Sequence, residues 1–286
     1  MLGRILVLAV ALLMPLAGGV WPGIAQAEQV IDNVDYLGPA GDLQGTLYLP
    51  SAGATPVPAI VLLHGGGWHF GNRNNVQVRD TASFLQAHGY AVLTINYPLG
   101  TKVQPVVWPE NLIDCKIAVQ WLRVNARNYH IDPDHIGIGG FSAGAHLATL
   151  VSFTASTPGL QPAQPYLGVS AAVEAVVDFY GPPVLPPPAE RWFGPLPLPQ
   201  SVVTEATPMD LVRPGLPPIL ISYGSRDPNS FVPYFPPFIA ALAAAGVPHR
   251  VYVVAGAAHG FDPTAPDTDV SGQLLAFLNT YLLPRD

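Results

Sequence analysis

Ser142 stands at the centre of Gly140-Phe141-Ser142-Ala143-Gly144, directly after the apolar run Ile136-Gly137-Ile138-Gly139 and before the helix-compatible stretch 145–151. Strand, G-x-S-x-G and helix in that order is the setting of a nucleophile elbow. A sharp strand-to-helix turn brings two backbones together, and Gly140 and Gly144 supply the room that this needs. A serine hydroxyl attacks a carbonyl only if a base takes its proton, and the base needs a third group to hold its tautomer and offset its charge. On this topology an acid should follow a later strand and a histidine should lie near the C-terminus. Asp227, in Gly224-Ser225-Arg226-Asp227, follows the expected strand 219–223, and His259, in Ala258-His259-Gly260-Phe261, follows the expected strand 250–254. Asp227 comes 85 residues after Ser142, and His259 another 32 after Asp227, which leaves room for one helix and one strand between acid and base. All three then project from one edge of the sheet, where open α/β sheets place their sites.

The tetrahedral intermediate of such an attack needs main-chain N–H groups aimed at its oxyanion, and residues without side chains let them approach. His64-Gly65-Gly66-Gly67-Trp68 follows the buried-type strand 59–63 and is placed to reach the serine turn. Gly66, Gly67 and Ala143 are the expected donors, with Gly65 in reserve. Asp178 is a rival acid, but Phe179-Tyr180-Gly181-Pro182 after it reads as a turn that the aspartate anchors. His146, one helical turn past the elbow, reads as a packing or hydrogen-bonding residue. His88, His130, His135 and His249 stand beside turns or helix ends and read as solvated. No Cys and His pattern has metal-ligand spacing, so no metal site is expected. The single cysteine, Cys115, allows no intramolecular disulfide and reads as a small buried apolar group.

These residues need elements to hold them. Short β-branched runs alternate with helix-period segments from about residue 45 onward, the pattern of an α/β fold with a mainly parallel sheet and crossover helices. Strands are expected at 45–49, 59–63, 91–96, 136–140, 172–179, 219–223 and 250–254, with 29–36 as an antiparallel starter. A helix opening around Pro109 would pack Ile113, Ile117, Trp121 and Val124 on the sheet. Others should close at Gly246 and cover 270–283. The stretch 181–200, after the sixth strand, carries eight prolines with Trp192 and Phe193 among them, which excludes continuous helix or central strand. It reads as an extended surface loop or as a lid whose aromatics line a cleft.

The composition allows a large core: 49% of the 286 residues are hydrophobic and 11% are charged. The net charge of −7, with basic residues scattered, gives no footprint for nucleic acid. At the N-terminus Arg4, the apolar run 5–16, helix-weakening Pro15, Gly18 and Gly19, and Ala25-Gln26-Ala27 read as a secretory signal peptide, residues 1–27. Residues 28–286 are then expected to form one exported catalytic domain, secreted or in the periplasm or cell envelope. Membrane association is expected only if the leader is retained uncleaved.

Together, His64 to Trp68 with Gly71 and Arg73, Trp121 to Ala126, Ile131-Asp132-Pro133, Gly140 to Leu147, Asp178 to Pro182, Gly224 to Pro228, and Ala245 to Pro248 leading to His259-Gly260-Phe261 resemble the α/β-hydrolase superfamily. More narrowly, they resemble the hormone-sensitive-lipase-like esterases and the bifunctional feruloyl and acetyl-xylan esterase type, over roughly residues 45–283. The resemblance implies hydrolysis of carboxylic esters, small or polysaccharide-linked, through an acyl-enzyme. It gives Ser142 as nucleophile, His259 as base and then acid, Asp227 as its partner and no cofactor. The chain departs from that pattern in its proline-laden 181–200 segment and in Ala145, where those relatives often have glycine. A serine peptidase of the prolyl-oligopeptidase kind shares the triad order, but no paired glutamates suited to a peptide amino terminus are seen. A non-catalytic hydrolase fold used for binding is the third possibility.

Overall fold

The computed structural model describes residues 27–284 except 39–42, 52, 54, 102–106, 186–198 and 228–230. The leader and most of the proline-rich stretch lie outside the described residues. Eight strands form one sheet: β1 (Gln29–Val34), β2 (Gly45–Leu49), β3 (Val57–Leu63), β4 (Ala91–Ile95), β5 (Ile131–Phe141), β6 (Ala175–Phe179), β7 (Ile219–Gly224) and β8 (His249–Val254). Their order is β1-β2-β4-β3-β5-β6-β7-β8. β1 pairs with β2, and β2 with β4, antiparallel; every pairing from β4 onward is parallel. This is the order and mix of directions of an α/β-hydrolase. The six parallel strands make it inevitable that the residues at their C-terminal ends share one edge.

Helices α1 (Val76–Ala87), α2 (Glu110–Asn125), α3 (Ala143–Phe153), α4 (Gln200–Glu205), α5 (Phe235–Ala244) and α6 (Ser271–Leu282) connect and flank the strands. The apolar runs of β3 to β7 are buried almost throughout, as strands covered on both faces require. Three expected strands are shorter than read from the sequence: the first ends at Val34, the fourth at Ile95, and the sixth begins at Ala175. Helix α2 differs more. Ile117 and Trp121 are buried as expected, yet Ile113 is half-buried and Val124 is 49% exposed, and the apolar residues with no exposure at all are Leu112, Cys115, Ala118, Val119 and Leu122.

The reason is that α2 also buries polar groups. Lys116 Nζ donates to the carbonyls of Thr154 and Leu160 at 2.7 and 2.6 Å, and Gln120 Nε2 donates to that of Val169 at 2.7 Å. The helix therefore serves as a post for the loop after α3, and its buried face is wider than the apolar pattern. Burial pushes the Lys116 ammonium down to about 7. Cys115 is fully buried, and burial raises its thiol, which fits a packing role.

Candidate active site

The long central strand β5 ends at Phe141 and α3 begins at Ala143, so Ser142 alone makes the turn. Its φ of 53° and ψ of −117° put a non-glycine residue in the left-handed half of the map, a conformation that costs about 1–3 kcal/mol and persists only where surroundings enforce it. Those surroundings are specific. A Cβ on Gly140 would lie 2.5 Å from the carbonyl carbon of Gly144, and one on Gly144 would run into the Leu63 and His64 carbonyls. Ser142 N–H donates to Phe179 O at 2.9 Å, and Ser142 O accepts from His146 N–H at 3.0 Å, which closes the first turn of α3.

The loops after β7 and β8 bring the other two groups. Asp227 lies three residues past β7, its N–H donating to Gly224 O at 3.2 Å. His259 Nδ1 lies 2.6 Å from Asp227 Oδ2, and His259 Nε2 lies 2.8 Å from Ser142 Oγ. The Asp227 side chain has no exposure, whereas that of His259 keeps 18%. A buried carboxylate beside Nδ1 fixes the proton there, leaving Nε2 as the acceptor for the serine hydroxyl. A serine, an imidazole and a carboxylate linked in this way can pass a proton from the hydroxyl to the imidazole and back.

Facing the serine, the segment after β3 folds into a tight turn in which Gly66 O accepts from the N–H groups of His69 and Phe70 at 3.0 and 3.1 Å. Gly66, at φ 130°, has no room for a Cβ against the Phe70 carbonyl. Gly65, Gly66 and Gly67 line the same cleft as Ser142. Ala143 opens α3, so its N–H is one of the donors that a helix leaves unpaired at its start. The expected oxyanion donors and the nucleophile thus share one cavity wall or the helix end beside it.

Several residues to which the sequence reading gave no role hold this turn. His64 stacks on Tyr97 at 4.2 Å, and its Nδ1 donates to Gly65 O at 2.7 Å. Burial pushes its imidazole down to about 4, so it is neutral at neutral pH, and the Gly65 carbonyl selects the tautomer with the proton on Nδ1. Arg73 fastens the far end: its Nε donates to Thr46 Oγ1 at 2.9 Å, and its Nη2 donates to Asn33 Oδ1 and Asp32 Oδ1 at 2.7 and 3.1 Å. Glycine spacing gave no hint of such long-range ties, although Arg73 stood in the motif that carried the resemblance.

Asp178, the rival acid, is fully buried and accepts from Gly181 N–H at 2.6 Å and from Thr149 Oγ1 at 3.2 Å, so its carboxylate anchors the turn that its neighbours suggested. His146 is fully buried, its Nε2 2.7 Å from Ala206 O, a tie between α3 and the end of α4. Of the four histidines expected in solvent only His88 is exposed; His130, His135 and His249 are half-buried, with His135 Nδ1 against Asp132 and His249 Nδ1 against Val247 O. Among the described residues, no group of three or more His, Cys, Asp or Glu is placed to hold a metal ion. No helix among them is long and apolar enough to cross a membrane.

The cleft has a volume of about 310 Å³, with Ser142 and His259 in its wall. Its apolar lining includes Phe70, Val78, Phe141, Tyr180, Pro182 and Phe231. Residues 46–235 match the model of the BD-FAE family. The chain belongs to that family. It is 31% identical over 221 residues, 72% of its length, to esterase LipC of Mycobacterium tuberculosis (strain ATCC 25618 / H37Rv). The chain spans about half the length of the curated relatives it matches, 54% and 51% for two of them. Among solved structures, a truncated form of a carbohydrate esterase from gut microbiota is similar with a TM-score of 0.75 and 25% identity, over 91% of this chain and 98% of that one. Thermogutta terrifontis esterase 2 phosphorylated by paraoxon is similar with a TM-score of 0.73 and 26% identity, over 93% and 99%.

Proposed function

We propose that this BD-FAE family protein is an exported carboxylic ester hydrolase that works through an acyl-enzyme on Ser142. The observation that carries the reading is the unbroken chain from Ser142 Oγ through His259 to Asp227, with links of 2.8 and 2.6 Å, opening on the cleft lined by Gly65, Gly66 and Gly67. His259 Nε2 takes the serine proton as Oγ bonds to the ester carbonyl carbon. The carbonyl electron pair moves onto oxygen, facing the N–H groups of Gly66, Gly67 and Ala143. The pair returns as the C–O bond to the alcohol breaks, and His259 gives its proton to the departing oxygen. Water then repeats the sequence on the acyl-serine, which regenerates the enzyme.

Short acyl or aryl-acyl esters are the proposed substrates, because Phe141, Tyr180 and Phe231 give an apolar wall to a cleft of about 310 Å³. Small esters and ester groups carried on a polysaccharide both present such an arm. Export rests on the leader pattern of residues 1–27 and places the catalytic domain, 28–286, outside the cytoplasm. N-terminal sequencing of the exported protein should begin at Glu28.

The mechanism is tested with p-nitrophenyl esters and a panel of peptide amides on the wild type and Ser142→Ala. The substitution should lower kcat by about 10⁴-fold or more, since triad members act as a unit. Paraoxon, which phosphorylates the Thermogutta terrifontis enzyme, should label Ser142 here and stop turnover. Activity unchanged in Ser142→Ala would remove the mechanism, and turnover of amides without esters would replace it with a peptidase.

A further inference from the structure

The residue after His259 is a glycine at φ 80° with open space where a Cβ would be, so the segment carrying the imidazole has little stiffness of its own. Two side chains from other elements grip it. Tyr180 Oη donates to Phe261 O at 2.9 Å, and Gln77 Nε2, from α1, donates to Gly260 O at 3.1 Å. The Tyr180 ring also stands edge-on to the imidazole of His259, centroids 4.9 Å apart and planes at 64°, and makes a similar contact with Phe261. Tyr180 is itself held in an unusual backbone state, φ 48°, with its N–H donating to Ser222 O at 2.8 Å. The preceding residue, Phe179, accepts the N–H of Ser142 at 2.9 Å. The dipeptide Phe179-Tyr180 therefore touches the nucleophile through its backbone and the base through its side chain. Burial raises the Tyr180 phenol, which keeps it a donor across the working range.

We propose that Tyr180 is a positioning residue that sets the distance and angle of the His259 imidazole relative to Ser142, with Gln77 as a second, weaker tether. The inference rests on the ester-hydrolase reading and adds to it a hydroxyl that bonds to the main chain of Phe261, not to Ser142 Oγ or to an imidazole nitrogen of His259. A base that has drifted by a fraction of an ångström still assists attack on an ester whose alcohol leaves readily. It fails more severely when it must also deliver a proton to a poor leaving group, because proton transfer then lies in the transition state.

The test is Tyr180→Phe, which removes one hydroxyl and keeps the ring. It is assayed beside wild type and Ser142→Ala on p-nitrophenyl acetate and ethyl acetate, with active enzyme counted by paraoxon titration. Values of kcat/KM, which report acylation for both esters, should fall about tenfold on the ethyl ester and about threefold or less on the nitrophenyl ester. Gln77→Leu should show the same asymmetry at smaller size. Equal loss on the two esters means that the hydroxyl only supports the fold, and together with no loss, or a larger loss on the nitrophenyl ester, it overturns the proposal. Wild-type turnover abolished in Ser142→Ala keeps the ester-hydrolase reading standing whatever Tyr180→Phe does.

Discussion

Two aspartates leave neighbouring parallel strands at the same edge of the sheet and meet different fates. Asp178 is the last but one residue of β6, so its carboxylate is fixed by the strand itself, fully buried beside Thr149 of α3. Asp227 comes three residues after β7 ends, so the loop carries its carboxylate out toward β8 and His259. One acid has a threonine and a turn amide for partners, the other an imidazole. A parallel sheet provides the common edge, but the few residues between the strand end and the acid decide whether it reaches the site or the frame beneath it.

The sharpest test of that distinction is the same substitution at both positions. Asp227→Asn leaves the shape intact but no longer favours the His259 tautomer with its proton on Nδ1, and kcat should fall by about 10⁴-fold on a p-nitrophenyl ester. Asp178→Asn should keep kcat within about tenfold of wild type, since it is bonded to no reacting group. Comparable losses at both positions would break the comparison. Equal and small losses would also remove Asp227 from the proton chain.

Next in size is Gly181→Ala, which attacks the structural acid's own turn. A Cβ there would sit 2.8 Å from Asp178 Oδ1, 2.8 Å from the Ala145 Cβ and 2.9 Å from His146 N, and two of those are held by backbone that cannot give. The expected cost is about 2–4 kcal/mol of stability by urea unfolding. Activity per folded molecule should drop too, because Tyr180 rides on this turn. Stability loss without activity loss in Gly181→Ala would separate the turn from the site.

The positions of both acids were legible in the sequence to different degrees, for a physical reason. That Ser142, Asp227 and His259 meet at one edge of the sheet was legible because each follows an apolar run that ends abruptly, and chain order on a parallel sheet predicts a common edge. The anchoring role of Asp178 was legible from the Phe-Tyr-Gly-Pro that follows it. Tyr180, Gln77 and Arg73 gave no such signal, since their partners lie 81, 183 and up to 41 residues away and no local pattern encodes those contacts. The breadth of the α2 face was hidden for a related cause: the carbonyls that Lys116 and Gln120 hold lie 38 to 49 residues away.

The two acids should also differ in how stability follows pH. Burial pushes the Asp178 carboxyl from its ordinary 3.8 up to about 7, against the opposing pull of the Gly181 N–H and the Thr149 hydroxyl. Between those two values the folded protein holds a proton that the unfolded chain has released. Stability contributed by this group is therefore full below the lower value and declines as pH rises toward the upper one. Asparagine does not titrate, so the melting temperature of Asp178→Asn relative to wild type should climb between about pH 4 and about pH 8. A flat difference across that range would show that the carboxyl is not held protonated.

The smallest effect sharpens the same point. Thr149→Val keeps the side-chain volume of α3 and removes the one hydroxyl, at 3.2 Å, that faces Asp178 Oδ2. A buried hydrogen bond of this kind contributes about 1 kcal/mol. Its loss should be felt more at about pH 8, where Asp178 is a carboxylate short of a donor, than at about pH 5, where it carries its own proton. Unfolding Thr149→Val in urea at both values checks the sign. A larger loss at the lower pH would mean that the neutral acid depends on the threonine more than the charged one, and that the turn amide of Gly181 alone stabilises the carboxylate.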